Sequence, residues 1–355
     1  MKVVTVIGNR PQFVKAAAVS GPLREAHQEL LVHTGQHYDD ELSTIFVEEL
    51  GIPRPEVELG IGGGTNTEQT ARMLEALGPL LASEAPDAVL VYGDTNSTLA
   101  GALAAAQARI PVAHVEAGMR SGDMTMPEEL NRILTDHSSD LLLCPSQVAV
   151  ENLAIEGLGA RAELVGDVMV DVAELIRPRA AKDSAPLDAA GVGRGQYVLA
   201  TAHRAANVDD PARLAQLVEL LVTVPGTVVL PLHPRTRARL EESGLLSDLE
   251  AGGVKVLPPL GYPAFTSLLL GASAVLTDSG GVQKEAYLAG IPCVTLRDTT
   301  EWVETVDLGW NHLVDLDADK ALAALAQEPS GARPAVYGDG RAGHHVVAAL
   351  SQLAG

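Results

Sequence analysis

Residues 88–105 read AVLVYGDTNSTLAGALAA and divide into three parts. The apolar run 88–92 has the length and composition of a strand buried on both faces. Gly93-Asp94-Thr95 breaks it, and a helical pattern takes over from 97 to 109. The same strand–turn–helix unit recurs on both sides. Apolar runs at 3–7, 30–33, 112–115, 141–144 and 163–165 alternate with helical patterns at 14–26, 40–50, 67–83 and 127–138. The alternation pauses around 177–195, where Pro178, Pro186, Gly191, Gly193 and Gly195 gather among charges. A second series follows, with strands at 197–201, 227–231, 254–257, 274–277 and 293–296, helices that include 211–222 and 281–289, and a last helix at 340–353. A chain of 355 residues exceeds the size of one ordinary core. The expectation is an α/β protein of two Rossmann-like doubly wound domains, residues 1–170 and 190–340, with a linker at about 171–189 and the final helix, about 342–355, packed back on the first domain. Two similar halves imply a cleft, and open α/β sheets bind ligands at the carboxyl ends of their strands.

Hydrophobic residues make up 46% of the chain and aromatic residues only 3%, so the cores rest on Val, Leu, Ile and Ala. The formal net charge of -21 repels nucleic acid and anionic membranes, and any bound phosphate needs a concentrated local positive site. Cys144 and Cys293 lie in apolar surroundings and build neither a disulfide framework nor a CxxC metal site, which fits a reducing cytoplasm. The opening MKVVTVIG is too short for a signal-peptide core. No apolar stretch approaches the roughly 20 residues that span a bilayer.

The clearest anion site is Asp278-Ser279-Gly280-Gly281, where the strand 274–277 runs into a helix. Glycines at such a turn let a ligand approach the backbone, and free N–H groups with the helix dipole favour a phosphate. The same tetrapeptide is equally a tight turn capped by Ser279. Glu285, one helical turn on, is placed to accept hydrogen bonds from a ribose. In the first half Gly8-Asn9-Arg10-Pro11 follows the first strand, with Lys15 just inside the next helix. The GxGxxG dinucleotide fingerprint is absent, and Gly62-Gly63-Gly64 follows no convincing strand, so no nicotinamide cofactor is expected. Acidic residues close the ends of two strands, Asp94 after 88–92 and Glu116 after 112–115, while Glu128 and Glu129 open the helix at 127. Singly, Asp94 reads as a helix N-cap and the glutamates as partners of a helix dipole; together they form a candidate acid–base cluster. His203-Arg204 and His233 follow strands of the second half and could face a diphosphate. The pair His344-His345 lacks acidic or Cys partners, so no metal site is expected, and GxSxG and HExxH are both missing.

These segments resemble the non-hydrolysing UDP-N-acetylglucosamine 2-epimerases of bacteria from Met1 to about Gly340. The resemblance is carried by GNRPQFVKAA, TGQHYD (34–39), VYGDTNSTLAGALAA (91–105), HVEAGMRSGD (114–123), PEELNRILTDH (127–137), DSGGVQKEA (278–286) and RDTTEWVE (297–304). It implies a fold of the GT-B type, a homodimer and a UDP-sugar substrate. It implies catalytic roles for Asp94, Glu116, Glu128 and His203, and a substrate-binding set of Arg10, Lys15, Arg204, His233, Phe265, Ser279, Gly280, Gly281 and Glu285. Three departures stand out. Gln36-His37-Tyr38-Asp39 lacks the second Gln of the allosteric members, so little need for activation by UDP-N-acetylglucosamine is expected. The loop 123–127 is shorter, and Trp302 stands where those members carry Arg. PLHPRTR (231–237), QKEA and TEWVE together resemble a sister group acting on UDP-2,3-diacetamido-2,3-dideoxy-glucuronic acid. The expected substrate is UDP-N-acetylglucosamine, with the sister substrate as the alternative and a UDP-sugar glycosyltransferase as a more distant one. The C2 proton of such a sugar is not acidic. Without a nicotinamide cofactor, inversion requires expulsion of UDP at C1 while C2 loses its proton, which calls for an anion site and nearby carboxylates.

Overall fold

Five of the six residues of β1 (Lys2–Ile7) are buried, as a Val- and Ile-rich strand covered on both faces requires. It pairs in parallel with β2 (Gln28–His33) on one side and β4 (Ala88–Tyr92) on the other. The computed structural model describes residues 1–36, 53–329 and 333–353, and the chain divides into two units, Met1–Glu174 with Ala335–Gly355, and Leu175–Pro334. The first holds a seven-stranded sheet completed by β3 (Val57–Glu58), β5 (Val112–Val115), β6 (Leu141–Cys144) and β7 (Ala162–Leu164), in the order β3-β2-β1-β4-β5-β6-β7. The second holds β8 (Tyr197–Thr201), β9 (Thr227–Pro231), β10 (Lys255–Leu257), β11 (Ala274–Thr277), β12 (Cys293–Thr295) and β13 (Asn311–Leu313), in the order β10-β9-β8-β11-β12-β13. Every pairing is parallel.

Each sheet reverses its strand order once, between β1 and β4 and between β8 and β11. Crossover connections leave a crevice at such a switch point, outside the carboxyl ends of the two strands. The turns found there are Gly8–Arg10 with Gly93–Asp94 in the first unit, and Ala202–His203 with Asp278–Ser279 in the second.

Several elements differ from expectation. The first helix begins at Arg10 rather than Val14, because the Asn9 side chain accepts from the Gln12 amide at 3.2 Å and Pro11 sits in the first turn. The strands β3 and β13 went unread: they are two and three residues long, too short for a periodicity signal. β3 lies just before Gly62-Gly63-Gly64, whose loop is held by the Arg72 guanidinium on the Gly62 and Gly63 carbonyls. The stretch 177–195 contains the end of the helix Val168–Ala180 and a short helix, Ala185–Ala190, closed by Gly191 at φ 61°. The expected helix 40–50 and His37-Tyr38-Asp39 lie outside the described residues.

The helix Ala342–Gln352 packs on the helix Arg10–Ala26 so closely that a Cβ on Gly343 would lie 2.0 Å from the Ala18 carbonyl oxygen. Asp171 fixes its start by accepting from the Ala342 and Gly343 amides at 3.0 and 2.9 Å. His345 is bonded to the Val165 carbonyl at 3.0 Å. Among the described residues no helix is long and apolar enough to cross a membrane, and no group of three His, Cys, Asp or Glu side chains is placed to hold a metal ion. Burial pushes both cysteine thiols up to about 12, Cys144 with added repulsion from Asp136, so neither is a ready nucleophile.

Candidate active site

At the switch point of the first sheet, the backbone of β4 turns outward through Gly93, at φ 63°. A Cβ there would stand 3.1 Å from Lys15 Nζ and 3.4 Å from Glu116 Oε2. The turn that carries Asp94 therefore lies directly on the Lys15–Glu116 ion pair, whose partners come from the first helix and the end of β5. Asp94 is not the cap of the helix Asn96–Gln107; Thr95 fills that role through a capping box with Thr98. Freed from capping, the Asp94 carboxylate accepts from Arg132 Nη2 at 2.6 Å and Nε at 3.2 Å. Lys15, read from sequence apart from the acidic pair Asp94 and Glu116, thus joins them, and each carboxylate faces a cation.

Glu116 itself has φ 71°, a left-handed conformation that costs a residue other than glycine about 1–2 kcal/mol. The end of β6 holds it there: the Leu143 carbonyl accepts from the Glu116 and Ala117 amides at 3.0 and 3.2 Å. Such local strain persists only where surrounding structure over-determines it, as at functional sites.

Glu128 is exposed in the first turn of the helix Pro127–Ser138, four residues before Arg132 and hence on the same side of that helix. Its neighbour Glu129 has a different place. It is 1% exposed, pairs with Arg132, and accepts from the Ser121 and Gly122 amides at 3.0–3.1 Å and the Ser121 hydroxyl at 3.0 Å. Glu129 therefore anchors a loop.

Arg132 and Gln12 hold these turns together, and the sequence reading did not single them out. Buried Gln12 accepts from the Gly8 amide at 2.7 Å and donates to the Tyr92 carbonyl at 2.7 Å and Thr98 Oγ1 at 2.8 Å, binding the turn after β1 to the turn after β4. Arg132 could have been found from its i+3 and i+4 spacing to Glu129 and Glu128; Gln12 carried no signal. Arg10 opens the first helix.

Beneath these turns lies a buried ionic network. Asp136 is bonded to His114 Nδ1 at 2.7 Å, accepts from the Gly118 amide at 3.1 Å and pairs with Arg120 at 2.8 Å. Burial alone would raise its pKa, but the hydrogen bond and charge of His114, then Arg120, outweigh burial and hold it below the usual 3.8. A depressed folded-state pKa gives stability that is fully present above the unfolded value and is lost as the pH falls through the folded one. The melting temperature of the wild type is thus expected to fall below about pH 3.8, and Asp136→Asn to flatten that limb while lowering stability at neutral pH; parallel acid limbs in thermal melts of the two proteins would contradict this.

In the second unit Asp278 is fully buried at the end of β11 and gathers the turn after β8. Its carboxylate accepts from the His203 and Arg204 amides at 3.0–3.1 Å and from Asn207 Nδ2 at 3.2 Å, with His203 Nδ1 at 3.4 Å. The imidazoles of His203 and His233 lie side by side, with centroids 5.5 Å apart. Burial, then the charges of His203 and Arg235, lowers the pKa of His233, whose Nδ1 accepts from the Arg235 amide. Ser279 caps the helix Gly280–Ala289, as the capped-turn reading expected. A Cβ on Gly280 would meet Glu301 Oε1 at 2.0 Å, and Glu301 pairs with buried Arg297 at 3.0 Å. Glu285 is half-buried one turn along, Gly281 is exposed, and Phe265 packs against the core of its own unit. Trp302 is buried with Lys284 Nζ 4.1 Å from its ring centroid.

Residues 23–351 match the family described as UDP-N-acetylglucosamine 2-epimerase. The chain is 48% identical to the UDP-2,3-diacetamido-2,3-dideoxy-D-glucuronate 2-epimerase of Pseudomonas aeruginosa, over 99% of this chain and 100% of that one. It is 44% identical to a UDP-N-acetylglucosamine 2-epimerase homolog of Methanococcus maripaludis, again over 99% and 100%. The crystal structure of Methanocaldococcus jannaschii UDP-GlcNAc 2-epimerase in complex with UDP-GlcNAc and UDP superposes with a TM-score of 0.92 at 39% identity, covering 99% of this chain and 100% of that one.

Proposed function

The chain belongs to the UDP-N-acetylglucosamine 2-epimerase family, and on that premise we propose that it inverts C2 of UDP-2,3-diacetamido-2,3-dideoxy-glucuronate. The coarser activity, C2 epimerisation of a UDP-N-acetylhexosamine, goes with the family. The choice of substrate reverses the order expected from sequence. It is supported by the 48% identity over the full length of the Pseudomonas aeruginosa enzyme. It is also supported by the stacking of Lys284 of QKEA on Trp302 of TEWVE, which makes two of the sister-group motifs one physical feature.

The observation that carries the reaction is the turn at Gly93, which sets Asp94 beside the Lys15–Glu116 pair. In the proposed scheme one carboxylate removes the C2 proton as the C1–O bond breaks and UDP departs, leaving a 2-acetamidoglucal. UDP then adds back to C1 while a proton is delivered to the opposite face of C2. Two faces need two groups, and Asp94, Glu116 and Glu128 supply the candidates. Gly280 and Gly281 offer backbone N–H groups to the departing diphosphate, Ser279 offers its hydroxyl and His203 a ring N–H, Arg204 adds positive charge, and Glu285 accepts from the ribose. No redox cofactor enters the scheme.

Proton NMR of the protein with each UDP-sugar tests the substrate. We expect a new anomeric signal with the diacetamido uronate nucleotide, at a kcat/KM at least about tenfold above that for UDP-N-acetylglucosamine. The reverse preference would support the second reading, favoured by the 39%-identical structure bound to UDP-GlcNAc. Release of free sugar would contradict both.

A further inference from the structure

We infer that His114 is a positioning residue, a buried imidazolium that fixes the two turns carrying Asp94 and Glu116 and so governs turnover without touching substrate. His114 projects from β5 and is fully buried. Its Nε2 lies 2.7 Å from the Gly93 carbonyl and its Nδ1 lies 2.7 Å from Asp136 Oδ1. A carbonyl can only accept, and so can an ionised carboxylate, so both ring nitrogens must donate. Asp136 is ionised in this arrangement, because the permanently charged Arg120 guanidinium pairs with its other oxygen at 2.8 Å, beside the Gly118 amide at 3.1 Å. The pKa of Asp136 is held down by the hydrogen bond and charge of His114, then Arg120, against its burial.

The residues gripped are the ones that matter. Gly93 immediately precedes Asp94, and Gly118 lies two residues after Glu116. Neither turn has room to relax: Gly93 and Gly118 sit at φ 63° and 78°, and a Cβ on Gly118 would come within 2.3 Å of the Ala149 carbonyl oxygen. Charges then alternate outward. Arg120 holds Glu156 through two hydrogen bonds at 2.7 and 2.8 Å, and His137, which is 48% exposed, stands 3.4 Å from Glu156 at the surface. The Cys144 thiol, raised to about 12 by burial and by Asp136, stays protonated and adds no charge. A neutral His114 would turn a bare nitrogen on either the Gly93 carbonyl or Asp136, and one of the two turns would lose its hold. Displacements of about 1 Å at reacting groups cost about 10²-fold in rate.

The inference about turnover rests on the epimerase reading; the charge of His114 does not. Nitrogen-15 NMR of the full chain labelled at histidine, under the conditions of the activity assay, is expected to show one buried histidine with both ring nitrogens protonated. His114→Gln should remove that signal. A single protonated nitrogen on His114 in the wild type would overturn the proposal, and this measurement needs no variant to fold. Kinetically, Asp136→Asn and His114→Leu are expected to lose about 10²-fold in kcat with KM within about twofold, and His114→Gln, which keeps a donor for the Gly93 carbonyl, to recover part of that loss. Folded variants that keep kcat within about threefold, or whose KM rises in proportion to the loss, would overturn the positioning role. If the wild type turns over neither UDP-sugar, the proposed function fails instead, while the NMR result still decides the state of His114.

Discussion

Asp94→Asn and Glu116→Gln are each expected to lower kcat by about 10²–10⁴-fold, the span that a positioned acid or base contributes, with UDP affinity nearly unchanged. Both substitutions keep shape and remove charge. The amide oxygen that replaces the Asp94 carboxylate can still accept from Arg132, and the one that replaces the Glu116 carboxylate can still meet Lys15, so the turn at Gly93 keeps its supports. The residues proposed to bind nucleotide, Ser279 to Gly281 and Glu285, belong to the other unit and are untouched. Steady-state NMR assays combined with calorimetric UDP titration separate the two effects. Joint loss of turnover, UDP binding and fold would mean that the carboxylates serve only as structural partners of Lys15 and Arg132.

Glu129→Ala carries the largest expected effect on stability. Removal of one partner from a buried ion pair typically costs about 3–5 kcal/mol, because the other charge stays buried without its counter-ion. Here Arg132, 4% exposed, loses Glu129 but keeps Asp94, while the amides of Ser121 and Gly122 lose a buried acceptor, so the expected loss lies at the low end, about 3 kcal/mol. Denaturant unfolding should show the loss, and Glu129→Gln, which still accepts, should fall between variant and wild type. A loss under about 1 kcal/mol, the ordinary worth of an exposed pair, would contradict the anchoring role.

The central strands were legible because a strand covered on both faces must be continuously apolar, and 3–7, 88–92 and 274–277 are nearly so, with only Thr5 and Thr277 polar. The edge strands β3 and β13 were not, since Val57–Glu58 and Asn311–Leu313 are too short and polar to carry that mark. The start of the first helix was written in Asn9 and Pro11 but read as loop. In the site, acidic residues at strand ends were visible, whereas their pairings were not: Arg132 follows Asp94 by 38 positions and Lys15 precedes Glu116 by 101, contacts that only the sheet order creates. The left-handed backbone of Glu116 was hidden as well, because nothing in the residue type announces it. Asp94 illustrates the opposite case, a side chain whose commonest local role, capping, was taken by Thr95 and which was thereby left to pair with Arg132.

The claim on which the scheme turns is that UDP leaves C1 while hydrogen leaves C2. It is tested most directly by running the reaction in deuterium oxide on UDP-sugar carrying oxygen-18 at the C1–O–P bridge. Deuterium is expected at C2 of the product, with migration of the label from the bridge to non-bridging phosphate positions. Product formed without deuterium at C2, or with the label still wholly in the bridge, would contradict it.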